Sequence, residues 1–261
     1  MTEAVILRDT SASGTDEVDG IRLDWAVACH VGRVRPANED AAVALPGRYL
    51  LADGMGGHES GELASEAALV TLADAPVGVS LAQTSGALEG LLVKAQNRIG
   101  ALEGDSARRA GTTATGVVLA TEHDEPHWVA FNIGDSRTYL ITGDRLRSVS
   151  VDHSQVQELV DSGVLTPEQA RVDPRRNVIT RALGAGMTTP EADYFALRAV
   201  PGDVLLLCSD GLNGELTDDE VEAVVAGADG DLAVAAESLI ECALLSGGHD
   251  NITVVLVRLA A

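Results

Sequence analysis

Lysine is nearly absent from this chain. Of its 18 basic residues only Lys94 is a lysine, and they face 40 acidic residues, for a net charge of −22 at pH 7. A surface this negative repels phosphate backbones and anionic headgroups, which argues against nucleic-acid or membrane-surface binding and suits a protein that gathers divalent cations. No G-x-x-x-x-G-K precedes Lys94, so a P-loop is excluded, and its place in a helical run disfavours Schiff-base chemistry. The chain equally lacks G-x-S-x-G, H-E-x-x-H and G-x-G-x-x-G. Cysteine is scarce too: Cys29, Cys208 and Cys242 are far apart and form no C-x-x-C pair. That supports neither a disulfide framework nor a thiolate zinc site and fits a reducing compartment. No apolar run approaches the ~20 residues that span a bilayer. Met1 to Gly20 carries no secretory apolar stretch. A soluble, cytoplasmic protein is expected.

What is present is an ordinary globular composition, 46% hydrophobic and 22% charged over 261 residues, with length for a substantial core. Residues 1–20, polar and rich in Ser, Thr, Gly and Asp over 8–20, read as a flexible N-terminal arm. Residues 21–261 show no repeat or composition break and read as a single domain. Short apolar or β-branched runs predict strands at Ile21–His30, Tyr49–Ala52, Thr115–Ala120, Trp128–Ile133, Thr138–Ile141, Val204–Cys208 and Ile252–Leu259. Helical spacing recurs in Leu63, Ala67 and Val70, in Leu88, Leu92, Ala95 and Ile99, and in Leu232, Ala236, Leu239 and Ala243. Thr166-Pro167-Glu168-Gln169 and Thr217-Asp218-Asp219-Glu220 are capping boxes, and Gly247-Gly248 ends the last helix. Strands, helices and strands follow one another in blocks, which favours an α+β layered fold with mainly antiparallel sheets.

Aspartates recur at the mouths of these strands: Asp53-Gly54, Gly134-Asp135, Asp210-Gly211 and Asp250-Asn251. Any one is read most simply as a turn. Four of them, if the strands are neighbours, bring several carboxylates to one rim. Two like charges ~4 Å apart cost about 4 kcal/mol at an effective dielectric near 20, so such a group needs cations or protons. An all-oxygen set suits Mg²⁺ or Mn²⁺ rather than zinc, and a pair of such ions can activate water and clamp a phosphoryl group.

Read in order, Arg35-Pro-Ala-Asn38-Glu39-Asp40, Ala52-Asp53-Gly54-Met55-Gly56-Gly57-His58, Gly111-Thr112-Thr113, Gly134-Asp135-Ser136-Arg137, Asp152-His153-Ser154, Ser209-Asp210-Gly211 and Asp250-Asn251 form an ordered set. The set resembles the metal-dependent protein phosphatases (PPM, or protein phosphatase 2C) of bacterial type, over about residues 22–258. The resemblance implies a four-layer αββα sandwich and hydrolysis of phosphoserine or phosphothreonine by direct attack of a metal-bridging hydroxide. It implies Mn²⁺ or Mg²⁺ as cofactor, two ions bound firmly and a third more weakly. By the same likeness Asp53 bridges two ions with the Gly54 carbonyl on one of them, Asp210 and Asp250 complete the ligands, and Asp135 joins Asp210 on the third. Glu39 and Asp40 orient metal-bound waters. Arg35 takes the substrate phosphate through paired guanidinium donors. The partners implied are proteins phosphorylated on Ser or Thr and an opposing kinase.

Some assignments stay open at this level. His58 is either a general acid or a prop for its loop, while His153 and His249 read as structural. Without the resemblance, Arg33, Arg35 and Arg48 are indistinguishable. The segment 155–183 falls at the family's flap, and its Arg171, Arg175, Arg176 and Arg181 either form a solvated face or guide phosphopeptides. An inactive phosphoprotein-binding member and a phosphomonoesterase acting on small molecules are the competing functions.

Overall fold

A computed structural model describes residues 5–56, 59–102 and 110–260. The chain opens with β1 (Ser11–Val18), β2 (Ile21–His30), β3 (Ala41–Leu45), β4 (Arg48–Ala52) and the short β5 (Gly54–Met55). Two helices follow, α1 (Glu59–Leu72) and α2 (Leu81–Leu102). Then come β6 (Gly111–Thr112), β7 (Ala114–Glu122), β8 (Glu125–Ile133), β9 (Arg137–Thr142) and β10 (Arg145–Ser148). The next stretch holds α3 (Gln155–Asp161), α4 (Pro167–Val172), β11 (Leu183–Gly184), β12 (Asp193–Arg198) and β13 (Val204–Cys208). The chain finishes with α5 (Asp210–Asn213), α6 (Asp218–Gly227), α7 (Leu232–Ser246) and β14 (Ile252–Leu259).

Three apolar layers explain why these elements stack as they do. One antiparallel sheet runs β1-β2-β14-β13-β9-β10 and a second runs β12-β8-β7-β4-β3. Alternate residues of both, among them Leu23, Tyr49, Leu51, Trp128, Leu205 and Val255, face each other and are buried between the sheets. Leu50, Val118 and Phe131 point the other way, onto the apolar stripe of α1 and α2. On the opposite outer face Leu206, Val254 and Leu256 pack on α6 and α7. The central strands β4, β7, β13 and β14 therefore bury both faces, as the continuous apolar runs of β13 and β14 anticipated. This is the αββα sandwich expected from the sequence. Among the described residues no helix is long and apolar enough to cross a membrane.

The N-terminal arm is corrected by the structure. Residues 11–18 are not loose but pair antiparallel with β2, from Ser11↔Ala28 to Val18↔Ile21. Their polar composition hid this, yet the signal stood in Asp19-Gly20, whose positive φ angles of 50° and 80° make the two-residue turn that right-twisted hairpins favour. Tyr49 anchors the strand from within by donating its hydroxyl to Asp16 Oδ2 at 3.0 Å. β3, β10 and β12 also escaped the sequence reading: β3 is alanine-rich, β10 is polar, and all three lie at sheet edges. Both capping boxes form as expected.

Strand register sets the position of the site. Cys208 pairs with both Val254 and Arg137, so β13 ends where β9 and β14 begin. In the other sheet Ala114 pairs with Ile133, and Leu51 pairs with Thr115. The aspartates that follow β4, β8 and β13 and precede β14 thus lie at the rims of the two packed sheets. Gly211 makes the closest approach there: a Cβ on it would lie 1.9 Å from the Asn251 carbonyl oxygen. Gly211→Ala is expected to cost about 3 kcal/mol or more, because backbone rather than a flexible side chain must give way. Urea unfolding measures it, and a midpoint equal to wild type contradicts this packing.

Candidate metal centre

The loop after β4 is held by threonines. Asp53 donates its N–H to Thr113 Oγ1 (3.0 Å), and its carbonyl accepts from Thr113 N and Thr112 Oγ1, both at 2.9 Å. Thr113 Oγ1 in turn meets Ser136 Oγ at 2.8 Å, which ties Asp53 to the strand end carrying Asp135. His153 braces that same end: Gly134 N–H donates to its Nδ1 at 3.1 Å, leaving the ring proton on Nε2, 3.2 Å from Asp193. Burial lowers its pKa, consistent with a neutral structural ring. His249 is held by Glu215 at 2.7 Å and is also structural.

Asp210 opens α5, directly after Ser209, whose Oγ accepts from Thr253 N at 3.0 Å. Asp250 accepts from Asn251 N at 2.9 Å through Oδ1 and from Arg35 Nη2 at 2.6 Å through Oδ2. Asn251 is the residue that sequence reasoning quoted but assigned no role. Its side chain accepts from Glu39 N (2.9 Å) and donates to the carbonyls of Val31 (2.9 Å) and Ala37 (3.0 Å). It thereby clamps the loop bearing Arg35 and Glu39 to the start of β14. Only its place beside Asp250 hinted at this.

The carboxylates are mutually destabilised. Asp40 is fully buried, and neither of its carboxylate oxygens has a hydrogen-bond partner. Burial pushes its pKa up to about 7, with Asp210 and Asp250 adding repulsion and the nearby Ser209 and Thr253 hydroxyls opposing it. Asp53 is raised well above the usual carboxylate range by desolvation and by Asp40, Asp210, Asp135 and Asp250. Asp135, 5% exposed and with Oδ1 unpartnered, is raised by burial and then by Asp210. Burial and Asp250 push Asp210 up to about 6, against the pull of Arg35 and of a hydrogen bond shared with Asp53. Glu39, whose Oε1 is buried without a partner, is raised by burial as well. The structure therefore assembles Asp53, Asp135, Asp210 and Asp250 with Glu39, Asp40 and Arg35. Gly54 adjoins them, donating its N–H to the Glu39 carbonyl at 3.2 Å. His58 lies outside the described residues.

As they stand, no three His, Cys, Asp or Glu side chains among the described residues converge tightly enough to cage an ion. Asp250 is turned onto Arg35, and Asp53 and Asp210 share a proton-mediated contact. The chemistry of the donor set still fits a hard divalent cation. It is all oxygen, it contains buried carboxylate oxygens without partners, and its members repel one another. Buried polar atoms in native proteins are almost always paired, so a cluster of exceptions at one cleft points to ligand binding.

Comparison with known proteins agrees. The protein phosphatase 2C family model matches residues 36–227. Serine/threonine protein phosphatase PstP of Mycobacterium tuberculosis is 38% identical over 242 residues, covering 90% of this chain and 44% of that protein. This chain thus spans less than half of that relative. Serine/threonine phosphatase stp of Listeria innocua is 35% identical over 87% of this chain and 92% of its own length. The chain belongs to the protein phosphatase 2C family. A solved structure of the PstP catalytic domain in complex with two manganese ions matches it at a TM-score of 0.76 and 35% identity, covering 92% of this chain and 99% of that one.

In the segment 155–183 the structure separates four arginines that the sequence grouped together. Arg175 is turned onto Asp173 in two contacts of 2.8 Å, Arg171 donates to the carbonyls of Asn213 and Leu216, and Arg181 faces Asp193. Only Arg171 and Arg176 of the four line the cleft of about 610 Å³ that runs from Asp135 and Asp210 between the flap and α6. A separate hollow of about 520 Å³ beside Trp25 and Arg258 contains none of the clustered carboxylates.

The raised pKa values set a pH dependence. The native carboxyls bind protons more tightly than unfolded ones, so between the two pKa values the folded state holds the extra protons and loses stability as pH rises. Without divalent metal, the melting temperature is expected to fall from about pH 4 to about pH 7, the window between the ordinary and the raised pKa of Asp40. Asp40→Asn should flatten part of that fall. Thermal scans in chelator across this range measure it, and a melting temperature that climbs through the window contradicts the buried cluster.

Proposed function

We propose that this chain is a Mn²⁺- or Mg²⁺-dependent serine/threonine protein phosphatase that hydrolyses phosphoserine and phosphothreonine in proteins. The observation that carries the proposal is the meeting of mutually repelling carboxylates from four strand ends with one arginine, in a family whose relatives are named serine/threonine phosphatases. Asp53, Asp210, Asp250 and the Gly54 carbonyl would hold two ions, with Asp135 and Asp210 as the place of a third. When bound, divalent ions supply Lewis acidity, lowering the pKa of water and neutralising charge on a phosphoryl group.

The remaining work falls to the chain itself. Asp40, buried without partners, and Glu39, with its Oε1 unpartnered, would orient water at the edge of the centre. Arg35, 47% exposed at its side chain, spends one donor on Asp250. A guanidinium has five donors in a planar fork, enough to grip two phosphoryl oxygens and hold the ester for in-line attack. A leaving alkoxide requires a proton, for which His58 is the candidate proposed from sequence. The cleft beside the flap is far larger than a phosphate and has an apolar wall of Val156, Val160 and Ala170, which favours a peptide over a small metabolite. The partners on this reading are cytoplasmic phosphoproteins and the Ser/Thr kinase that phosphorylates them.

The test is hydrolysis of a phosphothreonine peptide with Mn²⁺, with and without chelator. Turnover is expected only with metal, and Asp53→Ala or Asp210→Ala should lower kcat by roughly a hundredfold or more while the variants stay folded. Absence of metal-dependent turnover favours a binding module, and a preference for small phosphomonoesters favours the metabolite enzyme. Arg176→Ala should raise KM for the phosphopeptide about tenfold and leave p-nitrophenyl phosphate unaffected. Arg175→Ala, already paired with Asp173, should change neither, and equal effects of the two substitutions contradict this account of the flap.

A further inference from the structure

All four backbone polar groups of Glu39 and Asp40 are engaged, each by a different part of the chain. Glu39 N donates to Asn251 Oδ1, and the Glu39 carbonyl accepts from Gly54 N and from Ser65 Oγ at 2.7 Å. Asp40 N donates to Asn38 Oδ1 at 3.1 Å. The last group, the Asp40 carbonyl, accepts from Arg8 Nε at 2.9 Å. Arg8 also donates to Ser65 Oγ (3.1 Å), to the Glu62 carbonyl (3.2 Å) and to Glu62 Oε1 (2.6 Å). One guanidinium therefore grips Asp40 directly and Glu39 by way of Ser65.

Arg8 is seated for this. Its side chain is only 16% exposed. Leu7 exchanges two backbone hydrogen bonds with Ala42 (2.9 and 3.0 Å), and the Thr10 carbonyl accepts from Cys29 N at 3.0 Å. Asp9 Oδ1 accepts from Asn38 Nδ2 at 2.8 Å. Residues 7–10 thus strap the outside of the loop in which both Asp40 carboxylate oxygens and Glu39 Oε1 are buried without a partner. This strap precedes the stretch matched by the family model. The physical need for it is clear: carboxylates beside other carboxylates are pushed away from the cluster, and at Asp40, whose oxygens have no partner, anchoring through the backbone opposes that push.

We propose that Arg8 is a positioning residue that holds the Glu39–Asp40 backbone against this repulsion, so that the N-terminal segment sets the divalent-metal affinity of the site. The proposal rests on the metal-dependent reading above. It is tested on the full chain with Arg8→Ala, Arg8→Lys and Glu62→Ala. Isothermal titration calorimetry with Mn²⁺ measures affinity, and amide hydrogen exchange at Asp40 in chelator measures the loop without metal. Arg8→Ala is expected to weaken Mn²⁺ binding about tenfold and to speed exchange at Asp40, with kcat recovered at saturating Mn²⁺. Glu62→Ala, which removes the ion pair to α1 but leaves the bond to Asp40, should stay within about twofold of wild type.

Wild-type Mn²⁺ affinity in folded Arg8→Ala overturns the proposal, as does a loss in Glu62→Ala equal to that in Arg8→Ala. If Arg8→Ala does not fold, Arg8→Lys decides: a single ammonium does not span both Asp40 and Ser65, so unchanged affinity there also overturns it. Wild-type chain that binds no Mn²⁺ brings down the metal reading itself, and this proposal with it.

Discussion

The burial of carboxylates against one another is the constraint around which this molecule is organised. Burial first, and then repulsion from neighbouring carboxylates, raises the pKa values of Asp40, Asp53, Asp135 and Asp210. Arg35 reaches them from the rim, bonded to Asp250 and drawing on Asp210, and Arg137 opposes the rise at Asp135. What holds the group in place is hydrogen bonding from threonine and serine hydroxyls, the Asn251 amide and the Arg8 guanidinium, together with strand pairing in two sheets that cannot shift without opening the apolar layer between them. Burying unsatisfied carboxylates is locally unfavourable, and proteins keep such arrangements where function requires them.

The layered architecture was legible because its determinants are local. The runs at Val204–Cys208 and Ile252–Leu259 read as strands by composition alone and form as read. The threonine caps before α4 and α6 were equally plain. β1 was missed because its side chains are polar and its pairing with β2 is not written in its own residues. The aspartates were found since each stands at the end of a recognisable strand. Asn251, Thr113 and Arg8 were not, because what they do depends on residues up to 220 positions away. Hydroxyl and amide side chains look alike whether they clamp a distant loop or merely face water.

The flap shows the same limit from the other side. Four arginines within a short stretch of an acidic chain invited a common explanation, yet three are bonded to neighbouring carbonyls or carboxylates. Charge counting could not sort them, since a surface ion pair and a substrate contact differ only in what lies opposite. Geometry sorts them at once. The cleft that Arg171 and Arg176 border joins a charged floor to an apolar wall.

The thiol beside this cluster has a fate set by its surroundings. Cys29 is buried, shares a 2.9 Å hydrogen bond with Thr253 and accepts from Asn38, and desolvation together with the Asp40 charge lifts its pKa to about 11. Cys208, inside β13, is lifted to about 12 by burial. Peroxide and electrophiles attack the thiolate, which at neutral pH scarcely exists at either position. Burial, reinforced by the Asp40 charge, thus keeps the Cys29 thiol protonated and slow to oxidise.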